Sequence, residues 1–196
     1  MFKRIMDTVL SIALGIGLSA ACGFRVFVPL LIMSAAAHTG HIALSSGFKW
    51  IGTPQALIAF ATATVLEVLA YYIPWLDHFL DTIATPAAVV AGIVASASVF
   101  TEISPLFRWV LALIGGGGIA GLVQGTTVLT RVKSTVFTGG LGNPVVSTAE
   151  LISSAGTALL AIFFPVVCLI LILAGIYFVF HKTGRLFFGR KRKSAP

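Results

Sequence analysis

Two charged side chains stand inside apolar stretches of this sequence. Arg25 lies in ACGFRVFVPLL and Glu67 lies in TVLEVLAYY. A charged side chain at the centre of a bilayer costs about 2.5–3.5 kcal/mol on insertion scales, and intramembrane ionisable residues are functional candidates by default. The five N–H donors of a guanidinium can meet a carboxylate, backbone carbonyls, a substrate anion or water. We therefore expect Arg25 and Glu67 to form a structural ion pair or a substrate or proton site, and the two roles are compatible.

A further polar group follows Pro74. If this stretch is helical, Asp77 and Asp81 share one face, with His78 beside it. Two carboxylates and one histidine without a second cluster are a weak signal for a metal centre. We therefore predict no metal site here, and keep the three residues as candidates for an ion pathway or for a polar interfacial turn.

Two more candidates stand at the start of the last long apolar stretch. Gly142-Asn143-Pro144 predicts a tight turn, and Ser147-x-x-Glu150 predicts a capping box at a helix N-terminus. We expect Asn143 to act first in the turn and Glu150 to act first in the cap. Both are also candidates for a substrate or ion pathway. The sequence shows no phosphate loop, no G-x-S-x-G and no H-E-x-x-H pattern, so we predict no catalytic residue and no cofactor.

The elements that must position these residues are membrane helices. The 196 residues are 58% hydrophobic and only 10% charged, whereas a soluble domain carries about 25% charged residues. We predict an all-α, polytopic transmembrane bundle of five to six helical segments, since each crossing needs about 20 residues. The apolar segments run over residues 9–37, 54–73, 86–100, 105–129 and 147–180.

Several local signals predict where these helices begin and break. Thr53-Pro54, Thr85-Pro86 and Ser104-Pro105 each place an N-cap residue before a proline at the first helical position. Gly23 and Pro29 predict a distortion beside Arg25. Pro165 lies in a stretch without polar turn residues, which favours a kink over a hairpin. If the fifth segment crosses the membrane once, Lys133 and the basic tail lie on opposite sides, although the positive-inside rule favours the cytoplasmic side for both. The number of crossings therefore stays open.

Glycines concentrate in the fourth segment. Gly117, Gly121 and Gly125 share one helix face, extended by Gly118, and such small-residue stripes allow close helix packing. Gly115 and Gly116 are not needed for this stripe, so the run Gly115–Gly118 also predicts a deformable or broken helix at a polar site. The first segment has a similar small-residue spacing, which is common in membrane bundles generally and also allows a weak internal repeat of the kind seen in transporters.

The net charge of +7 arises mainly at the C-terminus. Six of the thirteen basic residues follow the last apolar segment: Lys182, Arg185, Arg190, Lys191, Arg192 and Lys193. By the positive-inside rule we predict a single transmembrane domain over residues 1–181 and a basic cytoplasmic tail over residues 182–196. Its expected partners are the lipid bilayer and anionic lipid headgroups, and not nucleic acid. The sequence allows a homo-oligomer.

The pattern Gly23-x-Arg25-x-x-x-Pro29, then Glu67, then Pro74-x-x-Asp77-His78-x-x-Asp81, then Gly142-Asn143-Pro144 resembles a family of small bacterial integral membrane proteins. This family is domain of unknown function 4126, and the resemblance spans nearly the whole chain. It implies a helical protein of the bacterial inner membrane and no assigned activity. From the residues themselves we expect a small transporter or channel-like protein, or alternatively a non-transporting scaffold or lipid-handling component of a larger complex. A membrane-embedded enzyme that uses Asp77, His78 and Asp81 is a third and less favoured hypothesis.

Overall fold

The computed structural model describes residues 2–188, without the side chains of Phe2, Arg4, Phe180 and residues 74–81 and 182–188. The predicted all-α class is confirmed for these residues, which form eight α-helices and no strand. The helices are α1 (Phe2–Phe24), α2 (Phe27–His38), α3 (Pro54–Ala70), α4 (Pro74–Val99), α5 (Pro105–Leu111), α6 (Gly118–Thr138), α7 (Asn143–Phe163) and α8 (Pro165–Phe188). A 3₁₀ helix (Ser46–Gly52) precedes α3, and a π-helix (Ala112–Gly117) joins α5 to α6.

Four helical stretches of the described chain are long and apolar enough to cross a membrane. They are Ile5–Phe24, Thr82–Val99, Pro105–Thr138 and Asn143–Phe163. The 3₁₀ helix and α3 form a fifth candidate that is bent by 64° at Thr53. These lengths and compositions are compatible with a multi-pass membrane protein.

The predicted breaks in the first and the last apolar segment are both present. The first apolar segment breaks after Phe24, between α1 and α2. His41, which follows α2, lines a cavity of about 370 Å³ together with Asp7 and Leu10 of α1. The chain therefore turns back at Arg25, and the end of α2 returns toward the beginning of α1.

The break at Pro165 is a hairpin and not the kink expected from the sequence. Residues 157 and 168 would lie about 16 Å apart along a continuous helix. Instead, Cys168 Sγ lies 3.8 Å from the carbonyl oxygen of Thr157. Helices α7 and α8 therefore run in opposite directions, and α8 continues through Phe188 into the predicted tail. Residues 189–196 lie outside the described residues, so the tail boundary stays a prediction.

The predicted helix starts are correct at Pro54 and Pro105 and wrong at Pro86. Thr53 Oγ1 accepts the N–H of Ala56 and caps α3, and α5 begins at Pro105 after Ser104, although the Ser104 side chain makes no capping hydrogen bond. Helix α4 instead begins at Pro74 and runs through Pro86. Pro74 supplies the first helical position, and a proline inside a membrane helix is tolerated where neighbouring groups satisfy the freed carbonyl.

The capping box at Ser147 and Glu150 was also a wrong prediction. Helix α7 begins at Asn143, directly after a turn in which Gly139 and Gly140 have positive φ angles of 62° and 90°. Ser147 and Glu150 therefore lie in the interior of α7, where both side chains are buried. Each is free to contact another helix.

The glycine run widens the helix instead of breaking it. A Cβ atom on Gly116 would collide with Ser96 Oγ, and one on Gly117 would lie 2.9 Å from Ile93 Cγ1. These two glycines let the π-helix pack closely against α4. The predicted stripe continues only to Gly121, because a Cβ atom on Gly118 or Gly125 would meet nothing within 4 Å, and the same holds for Gly115.

Helix α1 is the central element of the bundle and contacts α2, α4, α6, α7 and α8. Its contact with α4 includes a buried polar layer in which Ser19 Oγ and Ser96 Oγ are 2.5 Å apart. We call the end of the bundle that holds the α1–α2 and α6–α7 turns the Arg25 end. The opposite end, with the start of α1 and the α7–α8 turn, is the Asp7 end.

Candidate functional site: a buried arginine cluster

Arg25 lies at the turn between α1 and α2 and reaches into the bundle. It is 2% exposed. Its Nη2 donates to the carbonyl oxygen of Ser147 at 3.0 Å and to the Ser147 hydroxyl. Within the part of the chain that the structure describes, its Nε and Nη1 have no hydrogen-bond partner. A buried donor left unpaired costs about 1–3 kcal/mol, so Arg25 retains capacity to bind an acceptor.

Among the described side chains, the carboxylate nearest to Arg25 is that of Glu150. Arg131 of α6 donates from Nε to Glu150 Oε1 at 2.9 Å and from Nη2 to Oε2. Arg25 Nη2 lies 3.7 Å from the same Oε2. Glu150 is thus the shared counter-ion of two guanidiniums, about 10 Å along α7 from its first residue. Since all three side chains are almost completely buried, these charges interact with little screening by solvent.

Tyr71 completes the arginine cluster, which we define as Arg25, Arg131, Glu150, Ser147 and Tyr71. Its ring centroid lies 3.7 Å from Cζ of Arg25 and 4.1 Å from Cζ of Arg131. Tyr71 is 6% exposed, and cation–π contacts gain strength when they are desolvated. The ring therefore holds both guanidiniums in place next to Glu150.

Glu67 has a different partner from the one considered in the sequence. Its Oε1 accepts the N–H of Val26 at 2.8 Å, and its Oε2 accepts the N–H of Phe27 at 3.0 Å. Among the described residues, Arg25 and Glu67 are not within ion-pair distance, so the Arg25–Glu67 pair is not formed. Because the first N–H groups of a helix lack intrahelical acceptors and carry partial positive charge, Glu67 caps the start of α2 from a neighbouring helix.

The other predicted site residues take separate places. Asn143 Nδ2 donates to Thr135 Oγ1 at 3.2 Å and ties the start of α7 to α6. Gly23 permits the contact of α1 with α6, since a Cβ atom there would lie 2.6 Å from the carbonyl oxygen of Ala120. Pro29 is buried in α2.

The backbone of Asp77, His78 and Asp81 is helical in α4, as considered from the sequence. Their side chains lie outside the described residues, and their roles stay predictions.

Three members of the cluster were missed as site residues. Ser147 was predicted to be part of a helix cap, and Arg131 and Tyr71 were not predicted as site residues. A periodicity signal was available for α6, where the buried residues Gln124, Thr127 and Arg131 follow an i, i+3, i+7 spacing. Ser147, Glu150 and Ser154 repeat that spacing on α7 and are all buried. No comparable pattern marks Tyr71.

An apolar cleft of about 410 Å³ lies beside the arginine cluster. It is formed by α3, α4 and the α1–α2 turn, with Glu67 and Tyr71 among the described residues that line it. Leu66 and Ile83, which also line it, are 62% and 48% exposed. The cleft therefore opens toward the surface of the bundle between α3 and α4, and Glu67 forms part of its wall.

Comparison with known proteins gives a family and no activity. A protein-family model described as "Domain of unknown function (DUF4126)" matches residues 12–183. No curated protein and no solved structure shows significant similarity to the chain. The matched range contains every member of the arginine cluster as well as Glu67 and the cleft. Because the match covers most of the sequence, the resemblance is confirmed and the chain belongs to the DUF4126 family.

Proposed function

We propose that the protein is a small transporter or channel-like protein of the bacterial inner membrane, with Arg25 at its substrate site. The proposal is supported by one observation above all. A guanidinium that is 2% exposed keeps two of its three nitrogens, Nε and Nη1, without a hydrogen-bond partner in the described structure. Only an acceptor such as a small anion or water removes that cost, and charge-assisted hydrogen bonds from Arg favour an anion.

The composition of the cluster also supports a site that can open. Glu150 holds Arg25 at 3.7 Å but contacts Arg131 more closely through two hydrogen bonds. The carboxylate is therefore engaged more strongly by Arg131, and Arg25 can exchange its contact with Glu150 for a contact with an incoming anion. In this role Arg25 is the anion-facing charge and Arg131 keeps Glu150 in place.

The hairpin between α7 and α8 supports a cytoplasmic Arg25 end. It directs the chain after α8 toward the side of the α6–α7 turn, where Lys133 is exposed. Lys133 and the basic residues of the tail then lie on one side of the membrane, as the positive-inside rule requires. The N-terminus, at the Asp7 end, is on the opposite side under this proposal.

Thermal unfolding of the purified protein in detergent tests the site. Wild type, Arg25→Ala and Arg25→Lys would be compared with and without chloride, inorganic phosphate and acetate. Arg108→Ala is the matched control, since Arg108 is a partly buried arginine of α5 that donates to the carbonyl oxygen of Ile103 at 3.2 Å. We expect one of these anions to raise the Tm of wild type and of Arg108→Ala by several degrees and to leave both Arg25 variants unchanged.

Flux of that anion into proteoliposomes is then the decisive measurement. Anion-dependent flux that is lost in a folded Arg25→Lys variant supports the proposal. If no anion stabilises wild type, or if the shift is the same in the Arg25 variants, Arg25 is not a substrate site and the proposal is wrong.

A second candidate is favoured by the dense packing of the cluster. Arg25, Arg131, Glu150 and Tyr71 are each between 2% and 6% exposed, as expected of ion pairs that hold helices together. On this alternative the protein is a non-transporting scaffold or lipid-handling component of a membrane complex. A large fall in Tm for Arg25→Ala, no effect of any anion and a co-purifying membrane protein would support it over transport.

A further inference from the structure

The apolar cleft beside Glu67 differs from the arginine cluster in chemistry and access. Its described lining is apolar except for Glu67 and Tyr71. Its volume of about 410 Å³ lies within the range of roughly 300–1,000 Å³ that small-molecule sites have. The exposed side chains at its rim, Leu66 and Ile83, are hydrophobic, so a ligand that enters from this side must itself carry an apolar part.

Glu67 brings hydrogen-bond acceptors to the wall of the cleft. An ionised carboxylate has about four lone-pair sites, and the N–H groups of Val26 and Phe27 occupy one site on each oxygen of Glu67. Each oxygen keeps a further site for a hydrogen-bond donor. Glu67 is half-buried and lines the cleft, whose wall is otherwise almost entirely apolar.

The charges around the cleft favour a cation over an anion at this place. The guanidinium groups of Arg25 and Arg131 both face Glu150. Arg25 Nη2 lies 3.7 Å from Glu150 Oε2, and Arg131 contacts the same oxygen directly. Glu67, in contrast, has backbone N–H groups as its hydrogen-bond partners in the described structure. A carboxylate in apolar surroundings is costly without a counter-ion, and a positively charged group bound in the cleft beside Glu67 supplies one.

We infer that the cleft between α3 and α4 binds an amphiphile with a protonated amine, whose ammonium group donates to Glu67 and whose alkyl chain lies along the two helices. The inference stands on Glu67 and the cleft, and does not require that Arg25 binds an anion. It assigns to Glu67 a ligand-binding role in addition to its cap on α2.

Binding of alkylamines of different chain length to the full-length protein in nanodiscs tests this assignment. The probes are dodecylammonium, propylammonium and dodecanoate. We expect dodecylammonium to bind and to raise the Tm, and we expect propylammonium and dodecanoate to bind at least tenfold more weakly. The comparison of dodecylammonium with propylammonium tests whether the cleft binds an alkyl chain. The comparison of dodecylammonium with dodecanoate tests the sign of the charge that the cleft prefers.

Three variants locate the site. Glu67→Gln keeps the size and one acceptor of the side chain but removes its charge, and we expect it to weaken dodecylammonium about ten- to hundredfold, the effect of losing a hydrogen bond to a charged group. Ala63→Phe fills the cleft without changing Glu67 and should weaken the same ligand. Ala59→Phe, at an exposed position of α3 outside the described lining, is the matched control and should leave binding unchanged.

The outcomes separate this inference from the transport proposal. If dodecylammonium binds Ala63→Phe as tightly as it binds wild type, it only partitions into the bilayer and the inference is wrong. If dodecanoate binds more tightly and the binding depends on Arg25, the cleft serves an acidic amphiphile, which overturns the inference and supports the Arg25 site. Anion binding at Arg25 in the absence of any effect of alkylamines would leave the transport proposal standing alone.

Discussion

Replacement of Glu150 by glutamine should destabilise the protein more than the loss of a helix cap would. Glutamine has the same shape but no charge, so Glu150→Gln leaves Arg25 and Arg131 without the carboxylate that lies 3.7 Å from one and in contact with the other. Removal of one partner of a buried ion pair costs about 3–5 kcal/mol. Removal of a helix cap costs only about 1 kcal/mol. We therefore expect a loss of about 3–5 kcal/mol in the free energy of unfolding.

The assay is unfolding of the purified protein by a denaturing detergent titrated into mild-detergent micelles, monitored by circular dichroism. Asp7→Asn, which changes an exposed carboxylate of α1, is the control and should shift the free energy of unfolding by less than about 0.5 kcal/mol. A double variant, Glu150→Gln with Arg131→Met, should recover part of the loss, because it removes one of the two uncompensated guanidiniums. A loss within about 1 kcal/mol for Glu150→Gln, or no recovery in the double variant, would refute the idea that Glu150 is the shared counter-ion.

Further predictions concern packing, topology and the aromatic ring. Gly116→Ala should lower the free energy of unfolding by about 1–3 kcal/mol through overpacking against Ser96. At Gly115 an added methyl group meets nothing within 4 Å, so Gly115→Ala should leave the free energy of unfolding unchanged or raise it by up to about 1 kcal/mol. Equal effects of the two variants in the same unfolding assay would contradict the packing described here. Cysteines introduced at Lys3 and at Lys133, with the native buried cysteines replaced, should react with a membrane-impermeant thiol reagent from opposite sides of oriented vesicles, and labelling from one side only would contradict the proposed orientation. Tyr71→Leu should lower the free energy of unfolding by at least about 1–2 kcal/mol because two cation–π contacts disappear, and Tyr71→Phe, which keeps the ring, should lower it by less. A larger loss for Tyr71→Phe than for Tyr71→Leu would show that the ring does not hold the guanidiniums.

Local chemistry explains the features that were predicted correctly. The break beside Gly23 and the start of α3 at Pro54 depend on residues within a few positions of each other, so sequence alone is sufficient to predict them. The all-α class follows in the same way from the length and apolar character of the segments. Pro86 was misread because a proline signals a helix start equally well whether or not an earlier start exists, and here the helix had already begun at Pro74.

The candidate site was predicted less completely because its contacts are distant along the chain. Arg25 and Glu67 were recognised as unusual charges, but their partners were not. Arg25 meets Ser147, 122 positions away, and Glu67 meets the backbone at Val26, 41 positions away. No local pattern specifies which of several carboxylates a buried arginine will reach.

The sequence by itself determined that this chain forms apolar helices of membrane-spanning length, where several of them break, and that Arg25 and Glu67 require compensation. Those properties depend on composition, on proline and glycine, and on the cost of a charge in an apolar phase. Only the tertiary structure decided that Glu150 and Tyr71 hold Arg25 beside Arg131, that Glu67 caps α2, and that the chain reverses near Pro165. Those properties depend on which helix faces pack together, because an ion pair or a capping bond forms only where the fold brings its two atoms within a few ångströms.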